Sequence, residues 1–160
     1  MKVAVIMGSD SDLPIVEKTI KILDKFGVGR EVHVMSAHRT PYEALSFSEN
    51  AEANGFEVII AAAGKAAHLP GVLAAVTTLP VIGLPIKSST MDGLDSLLSI
   101  VQMPKGIPVA TVAIDGAENA GILAVQILAV KYPELREKLK KFKIEMADEV
   151  IAKDKNLKIN

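Results

Sequence analysis

Two periodicities alternate along the chain. Residues 2–7 form a short apolar run of strand type that breaks into the polar segment Gly8-Ser9-Asp10-Ser11-Asp12. From Leu13 to Phe26, Val16, Ile20 and Leu23 fall at helical spacing, with Pro14 in the first turn and Gly27 just past the end. A second strand is predicted over residues 32–36. The loop Ala37-His38-Arg39-Thr40 follows, then a helix over 41–54 with Thr40 as N-cap and Asn54-Gly55 as its stop. Residues 56–62 are β-rich with hardly any polar interruption, as expected of a strand covered on both faces. A loop of small residues over 63–71 leads into a short helix to about Thr77. Residues 80–85 read as a fourth strand, 87–92 as a polar loop, and the next helix carries Leu94, Leu97, Leu98 and Val101 on one stripe. A fifth strand over 108–114 ends at the turn Asp115-Gly116.

Five strands, each followed by a helix, predict an α/β domain with a parallel sheet. Right-handed crossovers then place helices on both faces, giving three layers. In such sheets ligands sit outside the carboxyl ends of the strands, near the switch in strand order. The loops at Gly8, Ser36 and Gly64 leave that same edge, so their side chains are expected to converge.

Two late helices differ from the others. Residues 117–130 place Ile122, Leu123, Val125, Ile127, Leu128 and Val130 on all sides, with Ala120, Gly121 and Ala124 permitting close approach. A helix apolar all round is buried all round, so its second face is expected to meet another subunit. Pro133 then starts a charged helix whose stripe is Leu135, Leu139, Phe142, Met146 and Val150, opposite a solvated basic face of Arg136, Lys140, Lys141 and Lys143. Residues beyond Lys153 are expected to fray. The chain reads as a single domain over 1–160. Its core is 1–132, and 133–160 form a helix and tail packing on the core or on a neighbouring subunit.

Composition narrows the function classes. At 160 residues one domain is expected. The absence of cysteine excludes disulfides and thiolate metal sites and fits a reducing cytoplasm. Net charge is −1, aromatics are 4% and tryptophan is absent, which argues against a nucleic-acid binder needing a basic face and stacking rings. The first apolar run is too short for a signal segment or a membrane span, so no membrane association is expected. An apolar share of 49% is high for a small domain and predicts apolar surface covered by other subunits.

The chemistry centres on His38 and Arg39. Histidine changes charge near neutral pH, and the planar fork of arginine suits phosphate or carboxylate. Between the first strand and helix, Ser9 and Ser11 offer hydroxyls beside free backbone N–H groups. Asp12 is placed to accept from sugar hydroxyls; alternatively, Ser11 and Asp12 only cap the helix. In the third loop Gly64 can supply positive φ and remove bulk beside a flat ligand, with Ala66 next to it. His68 is either a second acid/base or a structural histidine bonded to backbone. His33, in mid-strand, is given no role. Three scattered histidines without cysteine do not resemble a zinc site, so no metal is expected. No Gly-x-Ser-x-Gly elbow is present to support a serine hydrolase. The residues alone point to a phosphorylated, ribose-like small molecule, proton transfer by His38 and charge clamping by Arg39.

Four segments then carry a resemblance: Gly8-Ser9-Asp10-Ser11-Asp12, Ser36-Ala37-His38-Arg39-Thr40-Pro41, Ala66-Ala67-His68-Leu69-Pro70-Gly71, and the run from Asp95 to Pro104. In this order they resemble the class I PurE family, the N5-carboxyaminoimidazole ribonucleotide mutases of purine biosynthesis. The similarity covers residues 2–132, and the C-terminal helix matches only in character. The resemblance implies a flavodoxin-like α/β/α subunit in a cytoplasmic homo-octamer with active sites at subunit boundaries. It implies transfer of a carboxylate from the exocyclic nitrogen to ring carbon C4, with no metal, ATP or biotin. Carried onto this chain, Ser9 and Arg39 hold the 5′-phosphate with help from Ser11, and Asp12 binds ribose hydroxyls. His38 is the general acid/base at C4. Gly64, Ala66 and His68 line the base and carboxylate pocket, and Ser36 counts among the substrate-binding residues. Lys65 departs from a family pattern in which glycine is common, and would carry strain if that position needs positive φ.

Three alternatives accompany this reading. The first is the class II activity, direct carboxylation of aminoimidazole ribonucleotide by free CO2; the His-Leu-Pro-Gly segment resembles class I instead. The second is a non-catalytic flavodoxin-like mononucleotide carrier, but Tyr42, Tyr132 and the four phenylalanines are not placed to stack on a flavin. A receiver-type signalling domain lacks the aspartate it would need at the end of the third strand.

Overall fold

A computed structural model describes residues 1–157. Five strands, β1 (Lys2–Met7), β2 (Gly29–Val34), β3 (Val58–Gly64), β4 (Val81–Ile86) and β5 (Ala110–Thr111), form one sheet in the order β2-β1-β3-β4-β5. Every pairing is parallel. The helices between and after them are α1 (Leu13–Phe26), α2 (Pro41–Asn50), α3 (Leu69–Ala74), α4 (Leu94–Val101), α5 (Ala117–Leu128) and α6 (Pro133–Lys155). This is the flavodoxin-like order, with its switch point between β1 and β3.

Alternation along the strands divides the core in two. Val3, Val5, Val58 and Ile60 face α1 and α5, while Ala4, Ile6, Ile59 and Ala61 face α2 and α3. Gly27 ends α1 in the left-handed conformation (φ 73°), returning its N–H to Asp24. Helices α1 and α5 approach closely because Gly121 has no Cβ; one built there would lie 2.8 Å from Ile22 Cγ2. The buried Thr19 hydroxyl joins the same helices by donating to the Ala117 carbonyl at 2.7 Å.

Several expected boundaries move. β2 begins at Gly29 rather than residue 32, because the sheet pairs it residue for residue with β1, from Lys2↔Gly29 to Met7↔Val34. As an edge strand it is mostly exposed and carries no apolar signature. α2 stops at Asn50, and the Phe56 N–H returns to the Ala51 carbonyl in the turn that follows. β3 starts two residues late and continues to Gly64. β5 shrinks to two residues, paired only with Ile82 and Gly83; Pro108 before it and Pro85 on the neighbouring strand lack the N–H groups a longer ladder would need.

The α4 stripe is reversed. Leu94, Leu98 and Val101 are 44%, 46% and 46% exposed, whereas Ser96 and Ile100 are buried. Ser96 decides the orientation: its hydroxyl donates to the Ile86 carbonyl at 2.9 Å and holds that face of the helix on the sheet. The second face of α5 receives α6 of the same chain, with Leu135 and Leu139 buried and Phe142 packed edge-on against Phe26. Farther along α6, Met146 and Val150 are exposed, so the predicted stripe is buried only in its first half. The helix persists to Lys155, past the expected fraying point; the rest of the predicted tail, 158–160, lies outside the described residues. No helix among the described residues is long and apolar enough to cross a membrane.

Candidate active site

Loops leaving the carboxyl ends of β1, β2, β3 and β4 enclose a cleft of about 610 Å³. In the first loop Ser9 is extended (φ −151°), and its hydroxyl accepts from the Ser11 N–H at 3.3 Å and the Ser11 hydroxyl at 2.9 Å. Ser9 therefore caps the single 3-10 turn Asp10–Asp12. Asp12 occupies the N-cap position of α1 but makes no side-chain cap bond, so the capping alternative does not account for it. Its carboxylate lines the cleft instead. Burial raises the Asp12 pKa, hydrogen bonds from the Ser9 backbone and the Ser11 side chain pull it back, and nearby Asp10 adds to the rise.

The second loop is organised by Ser36. Its hydroxyl accepts from the N–H groups of His38 (3.4 Å) and Arg39 (3.2 Å) and from Arg39 Nε at 3.4 Å. Thr40 stands at the N-cap of α2 without capping it. Its hydroxyl folds back to Ser36, accepting from the Ser36 N–H at 2.9 Å and donating to the Ser36 carbonyl at 3.2 Å. Arg39 Nη2 reaches across to donate to the Gly8 carbonyl at 3.0 Å, tying the second loop to the first.

His38 ties the second loop to the third. Its Nε2 lies 2.9 Å from His68 Nδ1, with the rings 5.0 Å apart and nearly perpendicular. One ring must donate and the other accept, so both nitrogens cannot carry protons at once. His68 thus uses its ring on His38. The residue with positive φ is not Gly64 but its neighbour Lys65, at 55°. Gly64 is not required for space either, since a Cβ there would meet only ordinary contacts, the nearest being the Ile86 carbonyl at 3.5 Å. Gly64, Lys65, Ala66 and Leu69 all line the cleft. His33 lies in β2 and does not line the cleft; its ring packs against the Phe47 ring at 5.0 Å, with Nε2 3.4 Å from a Glu31 carboxylate oxygen.

The structure adds a fourth wall that the sequence reading missed. Ile86, Lys87, Ser88 and Ser89 follow β4 and line the cleft. The signal was available: a lysine and two serines leave a fourth strand at the same sheet edge. Here the Lys87 N–H donates to Asp115 at 2.8 Å, Lys87 Nζ pairs with Asp92 at 3.1 Å, and the Ser88 hydroxyl donates to Asp95 at 2.8 Å. The lining holds three cationic residues, Arg39, Lys65 and Lys87, and one carboxylate residue, Asp12, a balance that suits an anionic ligand. Among the described residues no group of three or more His, Cys, Asp or Glu side chains is arranged to hold a metal ion.

Comparison with known proteins agrees with this architecture. The sequence is 59% identical over 155 residues to the N5-carboxyaminoimidazole ribonucleotide mutase of Pyrococcus horikoshii, covering 97% of this chain and 88% of that one. It is 57% identical over 156 residues to the enzyme of the same name from Thermotoga maritima, covering 98% and 91%. The fold superposes on the crystal structure of Treponema denticola PurE with a TM-score of 0.89, at 29% identity and 99% coverage of both chains. The AIR carboxylase family matches residues 2–149. With nearly the whole chain matched in sequence and in fold, the protein belongs to the AIR carboxylase family.

Proposed function

We propose that the chain is an N5-carboxyaminoimidazole ribonucleotide mutase of purine biosynthesis. It moves the carboxylate of its substrate from the exocyclic nitrogen to C4, giving 4-carboxy-5-aminoimidazole ribonucleotide, and needs no cofactor. The observation that carries the reading is the meeting of His38, Arg39, Ser9, Ser11 and Asp12 around one cleft with the small-residue third loop. Ser9, Ser11 and Arg39 hold the 5′-phosphate, Asp12 the ribose, and Ser36 fixes Arg39 and the backbone of His38. Gly64, Ala66 and the His68 segment flank the base.

The chemistry is an isomerisation and its protons balance. The N–CO2 bond breaks, and nitrogen keeps the electron pair and takes a proton. Ring carbon C4 then attacks the retained CO2, forming the C–C bond, and loses its own proton. One proton is given and one recovered, so a single imidazole ends as it began. His38 is of a residue type that both gives and takes protons near neutral pH, which suits the two transfers. Retaining CO2 beside the ring is an effective-concentration gain, and Ala66 leaves room for it.

A cytoplasmic homo-octamer is part of the same reading. The location rests on the cysteine-free sequence. Assembly is supported by the apolar residues a lone chain leaves exposed, Leu94, Leu98 and Val101 on α4 and Ile144, Val150 and Ile151 on α6. Light scattering should report an octamer of the 17.0 kDa chain.

The deciding assay supplies N5-carboxyaminoimidazole ribonucleotide without ATP or bicarbonate and follows the C4-carboxylated product. Turnover under these conditions supports the mutase, and strict dependence on free CO2 would make the enzyme a carboxylase. His38→Asn should lower turnover by about 10²–10⁴-fold while ribose 5-phosphate still binds. Near-normal turnover in that variant would overturn the role given to His38.

A further inference from the structure

Among the described residues, three other than glycine have positive φ: Lys65 (55°), Asp92 (52°) and Asp115 (54°). All lie in loops that leave the carboxyl edge of the sheet. Aspartate tolerates this region, and both aspartates are engaged there by Lys87, Asp115 through the backbone N–H and Asp92 through the ammonium. Lys65 differs. It is a long side chain in a conformation glycine would adopt freely, and among the described residues its ammonium takes part in no hydrogen bond or ion pair. It lines the cleft between Gly64 and Ala66. Strain kept at a ligand cleft points to a side chain held there for use.

The place of each cation says which use. Arg39 is tied to the Gly8 carbonyl, on the serine loop. Lys87 is already paired with Asp92. Lys65 stands on the loop that carries His68, whose ring touches His38. The Ala67 N–H donates to the Lys65 carbonyl at 2.8 Å and the His68 N–H to the Ala66 carbonyl at 2.8 Å, so the loop is tight between lysine and histidine. The uncommitted cation of the cleft therefore stands on the loop whose histidine meets the acid/base.

We infer that Lys65 is a specificity residue whose ammonium faces the migrating carboxylate and makes the site prefer carboxylated over uncarboxylated ribotide. This rests on the proposed function, since it presumes a ribotide bound with its phosphate at the first loop. Lys65 makes and breaks no bond. It pairs with an anion present in both substrate and product, and holds that end of the cleft positive while the carboxylate changes its point of attachment.

Calorimetric titration of the intact protein tests this with two ligands differing by one carboxylate, aminoimidazole ribonucleotide and its 4-carboxylated form. Lys65→Gly should weaken the carboxylated ligand about 10-fold, the scale of one charge-assisted hydrogen bond, and leave the other little changed. The same variant should melt at a higher temperature, because the left-handed backbone is released from strain. Lys65→Asn, uncharged but tolerant of positive φ, should lose the same preference, and Lys65→Arg should keep it. Equal weakening of both ligands, or weakening of neither, overturns the inference. In that case a wild-type protein that still turns over its substrate leaves the proposed function standing; a wild-type protein that binds neither ribotide overturns both.

Discussion

The two ends of β3 are built on opposite terms. At the amino end, just before Val58, the Glu57 carboxylate accepts from the Tyr132 hydroxyl at 2.9 Å and Lys131 Nζ at 2.7 Å, and lies 3.6 Å from the chain's own N-terminus. These contacts join the start of the chain, the middle of the sheet and the α5–α6 connection. At the carboxyl end the strand runs into Lys65, with strained backbone and an uncommitted ammonium, at the mouth of an open cleft. One edge spends its polar groups on each other. The other keeps Lys65 uncommitted at a cleft, and the buried strand between them keeps the loops in register. Substitutions at the amino edge should therefore lower stability and spare activity, and those at the carboxyl edge should impair binding or turnover without lowering stability.

The largest effect expected from this contrast is at Arg39. Arg39→Ala removes the guanidinium that reaches Gly8 and lines the cleft. Affinity for ribose 5-phosphate should fall about 10- to 100-fold, the worth of hydrogen bonds to a charged group. The urea midpoint should hardly change, because the residue is exposed. A variant that binds normally but unfolds early would make Arg39 a structural tie and break the contrast at this edge.

Glu57→Gln probes the other edge with a smaller effect. Burial alone would raise the Glu57 pKa, but bonds from Lys131 and Tyr132, with the charges of Lys131 and the N-terminus, outweigh it and hold the carboxyl below its usual value. A depressed pKa means that the folded state favours the anion. The stabilisation is thus fully present above the unfolded value of about 4.3 and is lost as pH falls through the lower folded value. At pH 7 the substitution should cost about 1 kcal/mol, discounted for partial exposure. The difference from wild type should shrink in acid, and turnover per folded molecule should stay the same. A Glu57→Gln enzyme that folds as well as wild type but turns over slowly would show the two edges coupled.

The same division explains what could be read from residues alone. Strands β1, β3 and β4 are apolar because they are covered on both faces, and α1 announces itself by spacing, Pro14 and Gly27. The edge strand β2 bears mostly exposed side chains, so its first half is set by pairing with β1 and leaves no local trace. In α4 the leucine period was visible, but its direction was decided by the Ser96 hydroxyl and the Ile86 carbonyl, a contact no periodicity encodes. At the site, His38 and Arg39 were legible as chemistry in a loop. Their partners were not: His68 is 30 positions away, and Gly8 is reached across the sheet. The Lys87-Ser88-Ser89 wall was missed because its serines and lysine form no motif until β4 places them beside the other loops.

The smallest expected effect sharpens the contrast most, because it concerns a carboxylate at the functional edge. Asp12 is the counterpart of Glu57: here burial dominates, and its pKa is raised in spite of the serine hydrogen bonds. A raised carboxyl pKa means that the folded state holds the proton more tightly than the unfolded one. Below the unfolded value of about 3.9 both states are protonated and ionisation has no cost; as pH rises through the folded value the cost grows to its full size and stays there. At neutral pH the ionised Asp12 therefore works against folding. Asp12→Asn should melt slightly above wild type at pH 7, and the gain should vanish when the melt is repeated below pH ~3.9. The same variant should bind the ribotide less well, since an amide accepts from ribose hydroxyls more weakly than a carboxylate. If Asp12→Asn instead lowered the melting temperature at pH 7, Asp12 would be serving the fold as Glu57 does. The carboxyl edge would then no longer be the one whose polar groups are kept for a ligand at the expense of stability.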